Sequence, residues 1–199
     1  MGDVTIGLLH PGEMGAAVGK CLAGAGHRVL WVPEGRSAAT RERAAEAGLD
    51  GCVWAEMAAR SEVIVSVCPP HAALDVARAV AGSGFRGLYL DANAVSPATA
   101  GEVAAIVEAG GADFADGGII GPPPLAPGST RLYLSGPRAG EIGALFGGTD
   151  VDARVVPPPG SASVVKMAYA SWTKGSAALL LAARALARAD GVESVLLEE

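Results

Sequence analysis

The chain predicts an α/β fold: a doubly wound, mostly parallel sheet, then a long helix and the start of an all-helical region. Three observations carry this. Near-continuous apolar runs alternate with helix-like segments, as in parallel sheets covered on both faces. The first apolar run, residues 4–9, passes through a glycine-containing turn into a small-residue helix over 16–23. Beyond Pro157-Pro158-Pro159-Gly160, one unbroken helical pattern opens at Ser161 and reaches about Ala189.

Each element has a local reason. Residues 4–9 form the first strand, and the helix after the turn runs to about Ala25. Residues 27–32, rich in Val, Leu and Trp, form the second strand. Residues 38–47 make a charged, alanine-rich helix closed by Gly48. Val53-Trp54 reads as a short third strand. Residues 62–68 form a fourth, stopped by Pro69-Pro70. Residues 71–81 are helical, and 87–91 form the fifth strand. Ser96 caps the next helix with Pro97 at its first position, and Gly110-Gly111 end it. Residues 114–121 lead into a proline-rich loop over 122–127; a strand over 131–135 and a short helix over 139–146 follow. Within the long helix, residues 177–183 are apolar all round, which predicts burial on every side. A further helical segment begins after Gly191, and the sequence then stops. The expected division is a sheet domain over 1–159 and, over 160–199, a long helix opening an all-helical domain that further residues or a partner chain complete.

Composition narrows the function. Half of the 199 residues are hydrophobic and 18% are charged, which excludes a disordered chain. The net charge is −6 and no basic stripe exists to neutralise phosphates, so no nucleic-acid partner is expected. Cys21, Cys52 and Cys68 have no zinc or redox spacing and read as reduced thiols. No metal is expected. The apolar stretch 177–183 is too short to span a bilayer, and Asp3 and the glycine turn break up any leader-like run. A cytoplasmic protein with no membrane partner is the expectation.

The glycine turn is the most informative segment. Strand, glycine turn and helix in that order build a site for a dinucleotide pyrophosphate, because helix N-terminal N–H groups point at the anion and the helix dipole favours its charge. Pro11, Gly12, Glu13 and Met14 wrap this turn, with Gly15 behind them. The first glycine of a G-x-G-x-x-G fingerprint is absent, and His10 stands in its place. Two readings of His10 stay open: contact with the cofactor, or replacement of glycine in a wider turn.

Four segments together resemble the β-hydroxyacid dehydrogenase superfamily, which includes 6-phosphogluconate dehydrogenases, 3-hydroxyisobutyrate dehydrogenases and imine reductases. Residues 7–15 are similar to its G-x-x-G-x-G-x-M-G turn. Residues 91–97, Asp-Ala-Asn-Ala-Val-Ser-Pro, are similar to its D-x-S-T-x-x-P segment. Residues 116–121 are similar to its substrate loop, and 160–166 to G-x-G-x-x-x-K at the interdomain helix. The wording His10-Pro11-Gly12-Glu13-Met14-Gly15 resembles a divergent branch. The resemblance implies a Rossmann domain, then an all-helical domain that completes a homodimer, about one hundred residues of it lying beyond this sequence.

It also implies roles. Lys166 would be the general acid/base of a hydride transfer. Where the superfamily places a helper asparagine one turn later stands Ala170, leaving Tyr169 or Ser171 to supply a hydrogen bond. Asn93 would bind substrate or nicotinamide with its amide. Ile120, Gly121 and Pro122 would form the substrate loop without its usual serine. Cys68, Pro69 and Pro70 would lie along the adenosine and ribose. After the second strand, Glu34 suggests NAD and Arg36 suggests NADP; Arg36-Ser37, reinforced by Arg41, favours NADP(H) over NAD(H). The expected activity is hydride transfer between a nicotinamide and a small carbonyl or alcohol substrate. The alternatives are imine reduction, or an NADP-binding protein without catalysis.

Overall fold

The computed structural model describes residues 3–199. Eight strands form one sheet: β1 (Thr5–Leu9), β2 (Arg28–Trp31), β3 (Asp50–Gly51), β4 (Val63–Ser66), β5 (Leu88–Asp91), β6 (Asp113–Ile120), β7 (Thr130–Ser135) and β8 (Val151–Val155). Their order across the sheet is β3-β2-β1-β4-β5-β6-β7-β8. All neighbouring pairs are parallel except β6 and β7. The chain therefore leaves β1 on one side, returns past it and continues at β4 on the other. That reversal places a crevice beyond the carboxyl ends of β1 and β4, where open parallel sheets bind ligands.

Helices cover both faces. On one side α1 (Glu13–Gly24), α2 (Ala38–Glu46) and α6 (Ala139–Leu145) pack Val18, Leu22, Ala44 and Ile142 against Ile6, Leu8, Val65 and Leu90. On the other side α3 (Trp54–Arg60), α4 (Ala73–Gly82) and α5 (Pro97–Ala109) pack Met57, Val80 and Val103 against Leu9, Ile64 and Tyr89. Successive strand residues such as Leu8 and Leu9 enter opposite cores, which is why these strands read as unbroken apolar runs. Ser37 and Ser96 cap α2 and α5 by accepting from Thr40 N and Thr99 N.

Two sequence expectations are corrected. Val53-Trp54 is not a strand: Trp54 opens α3, and the third strand is the two-residue Asp50–Gly51 before it. The strand β8 was not anticipated; it is an edge strand whose Asp152 and Arg154 pair with each other and break the apolar pattern.

The helix α7 (Ser161–Ala189) spans two units, one ending at Lys166 and the other covering Met167–Glu199. Its first residues are seated on the sheet. The buried Asp116 of β6 accepts from Ser163 N at 2.9 Å, from the Ser163 hydroxyl and from Ser135 Oγ at 3.0 Å. Ser135 Oγ in turn accepts from Ala162 N at 3.2 Å. Side chains of β6 and β7 thus satisfy N–H groups that the first turn of a helix leaves unpaired. The approach is backbone to backbone: a Cβ at Gly118 would lie 2.7 Å from Ala162 O and 3.0 Å from Lys166 Cβ.

In the second unit, α8 (Glu193–Leu196) folds back and Glu193 pairs with Arg184 and Arg188. The all-round burial expected over residues 177–183 is not found: Leu179, Leu180 and Leu181 are 73%, 59% and 66% exposed. The unit holds only α8 besides the helix itself, too little to cover every face of it.

Gly118→Ala is expected to destabilise the chain by about 1–3 kcal/mol, since neither backbone can yield to the added carbon. Gly101→Ala, in α5 with open space around it, is the control and should raise stability by up to about 1 kcal/mol. Urea unfolding of both variants checks the pair.

Candidate functional site

The turn after β1 leads into a helix N-terminus with no side-chain cap. Gly12 is the N-cap of α1, no side chain caps that terminus, and the first helical hydrogen bond is Ala16 N to Gly12 O. A Cβ at Gly12 would meet nothing within 4 Å, so the space in front of the turn is open. Gly15 is required for a different reason: a Cβ there would lie 2.4 Å from His10 O. These residues fit a dinucleotide pyrophosphate, with no side-chain cap on the helix and no bulk in front of Gly12.

Two cavities flank the turn, both within the first unit. One, of about 270 Å³, is lined by Leu9, His10, Val32, Arg36, Trp54 and Val76 among others. Its walls are mostly apolar, with His10 and Arg36 as polar points. Burial, then the Arg36 charge, lowers the His10 pKa to about 4, so this imidazole is neutral near pH 7. The other cavity, of about 180 Å³, brings together Met14, Cys68, Pro70, Asn93, Gly121 and Lys166. Lys166 Nζ donates to Ile119 O at 2.6 Å, which holds the ammonium against the end of β6.

The structure thus gathers the residues read from sequence into two places. Cys68 and Pro70 lie with Lys166, whereas His10 and Arg36 line the other cavity. Glu13 is exposed, and its side chain lines a separate groove with Lys20 and Arg43. Ser37 spends its hydroxyl on the cap of α2. Pro11 is buried within the turn. Ile120 is buried in the sheet, while Gly121 reaches the lysine cavity; Pro122 and Pro69 are exposed beside it. Tyr169 belongs to the second unit, where its ring meets Trp172 edge to face with centroids 6.1 Å apart.

Asn93 lines the lysine cavity and is also bonded to the protein. It is buried, its Oδ1 accepts from Cys68 N at 2.6 Å, and its Nδ2 donates to Ser66 Oγ at 3.1 Å. It clamps the loop after β4 to the loop after β5. Beneath it, Asp91 Oδ1 accepts from Asn93 N at 2.9 Å while Asp91 Oδ2 is buried without a partner. Burial is the main reason the Asp91 pKa is raised to about 6; the nearby Asp116 adds to it and the Asn93 N–H opposes it. Sequence reasoning missed Asp91 and Asp116 as organisers, although both open segments that carry the resemblance. Burial also raises the Cys68 thiol, so it is no ready nucleophile. Among the described residues no cluster of His, Cys, Asp and Glu could hold a metal ion, and no helix is long and apolar enough to cross a membrane.

Comparisons with known proteins agree with the fold. The family described as NADP oxidoreductase, coenzyme F420-dependent, matches residues 5–94. A solved conserved protein of unknown function, described as structurally similar to 3-hydroxyacid dehydrogenases, superposes with a TM-score of 0.81 at 30% identity. The match covers 98% of this chain and 74% of that one. The chain belongs to the β-hydroxyacid dehydrogenase superfamily. A curated relative from Methanothermus fervidus, an uncharacterised 28.5 kDa protein in the 7S RNA 5′ region, is 31% identical over 169 residues, or 83% of this chain. The match spans 64% of that relative's length. An imine reductase from Myxococcus stipitatus, solved with NAD+, shares the fold with a TM-score of 0.78 at 23% identity, over 96% of this chain and 68% of its own.

The Asp91 shift predicts a pH signature. A carboxyl whose folded pKa lies above its ordinary 3.8 stabilises the fold below that value, and the contribution is lost as pH rises toward about 6. Asp91→Asn keeps an acceptor for Asn93 N and removes the ionisation. It should flatten the stability profile between about pH 4 and 6 and raise pH 7 stability on the order of 2–3 kcal/mol, read by denaturation at each pH.

Proposed function

We propose that the protein is an NADP(H)-preferring oxidoreductase that moves a hydride between the nicotinamide and a small carbonyl or alcohol substrate. The observation that carries this is the placement of Lys166 Nζ in a cavity adjoining an uncapped glycine turn at the sheet's reversal point. The bound dinucleotide would supply the hydride. The first turn of α1 would hold the pyrophosphate. Arg36 would hold the ribose side of the adenosine half and favour a phosphate there. Met14, Val67 and Ile119 close apolar walls around the reacting centre and exclude water. Lys166 delivers a proton to the substrate oxygen as a carbonyl is reduced and takes it back in the reverse direction; the Ile119 carbonyl keeps its Nζ in place.

Imine reduction is the second reading. It is favoured by Ala170 and Ile120, which stand where the superfamily usually offers an amide and a hydroxyl to a hydroxyacid, and by the apolar lining of the lysine cavity. The exposed leucines of α7 support a homodimer formed through the helical region. The three free thiols suit a reducing compartment such as the cytoplasm.

NADPH consumption by the native full-length protein against aldehydes, keto acids and cyclic imines tests the reading. Lys166→Ala should lower kcat by about 10²–10⁴-fold with NADPH affinity kept. Binding of NADPH without turnover of any substrate, and no effect of Lys166→Ala, would indicate a cofactor-binding protein without catalysis. Arg36→Ala should weaken NADPH roughly ten- to a hundredfold more than NADH, measured by fluorescence titration.

A further inference from the structure

His10 is the only non-glycine residue with a left-handed backbone among the described residues, at φ +66°. A side chain in that conformation is strained. The turn itself needs only the backbone of this residue: His10 O accepts from Gly12 N at 2.7 Å and packs over Gly15. A glycine would meet both demands without strain, so the turn does not account for the imidazole.

The ring has other work available to it. It lines the apolar cleft beside Arg36, and its Nδ1 is buried with no hydrogen-bond partner. An unpaired buried nitrogen is costly and rare, so the turn does not repay the polarity of this ring, while the residue itself lines the cleft. The charged groups facing the cleft are Arg36, from the segment after β2, and Asp75 of α4, which pairs with Arg78 at 2.7 Å. From α3 comes Trp54, a flat apolar wall suited to a purine. A neutral imidazole offers one donor and one acceptor, which matches ribose hydroxyls.

We propose that His10 is a specificity-determining residue that hydrogen-bonds the adenosine ribose of the cofactor, in concert with Arg36 for a phosphate on that ribose. The assignment rests on the dinucleotide reading above. It replaces a contact that a glycine turn makes through backbone alone with one made by a side chain, and it locates that contact in the adenosine half.

Titration of His10→Gly and His10→Asn with adenosine 2′,5′-bisphosphate and nicotinamide mononucleotide, alongside thermal melting, tests this. His10→Gly should bind the bisphosphate about tenfold more weakly, bind the mononucleotide as the unaltered protein does, and melt no lower because the strain is gone. His10→Asn, which tolerates the left-handed conformation and keeps a polar head, should recover part of the loss. Equal affinity of His10→Gly and the unaltered protein for the bisphosphate overturns the assignment. So does an equal loss for both fragments, which marks a purely structural role. Failure of the unaltered protein to bind NADPH overturns the dinucleotide reading and this assignment together.

Discussion

The carboxyl group of Asp116 joins the sheet to the helix that carries the lysine. Placing a carboxyl inside a protein is costly unless its oxygens are well paired. Here three donors from Ser135 and Ser163 meet them. The arrangement also serves the helix, whose first N–H groups would otherwise lie against the sheet unpaired. The position of Lys166 over the end of β6 follows from this seat, since the lysine lies one turn beyond Ser163 and its Nζ reaches back to Ile119 O.

The N-termini of α7 and α1 are treated in opposite ways. That of α7 is closed by the protein's own side chains, whereas that of α1 is left open. A closed terminus fixes a position, whereas an open one leaves its N–H groups available to a partner. Asn93 and Asp91 hold the loops after β4 and β5 together, so the lysine cavity is bounded by short, cross-braced segments.

Much of this was legible in the sequence, for local reasons. Unbroken apolar runs marked the central strands, and Ser96-Pro97 marked the start of α5, because these signals depend on neighbouring residues alone. The edges were harder. The strand β3 has two residues and no apolar content, and β8 carries an ion pair where alternation would be sought. The bond between Asp116 and Ser163 spans 47 residues, and no local pattern announces such a pairing. The sequence marks Asn93 as an amide for a ligand, but its bonds to Cys68 N and Ser66 Oγ link distant segments and are visible only in the structure. The absence of glycine at position 10 was visible at once; the left-handed backbone there, and the ring it turns into a cleft, were not.

The contact between Gly118 and Ala162 has a mechanical consequence. Most helices rest on a sheet through side chains that flex, so small changes in sequence shift them by small distances. Here hard backbone meets hard backbone, and the carboxyl of Asp116 accepts from particular N–H groups of the first turn. Such a joint behaves like a detent. Sliding α7 to the next equivalent seat would move it by a full helical pitch, about 5.4 Å, carrying the lysine out of its cavity. Drift in the surrounding sequence can therefore reshape the cavity walls while the ammonium keeps its place, and the walls are where new substrates would be accommodated.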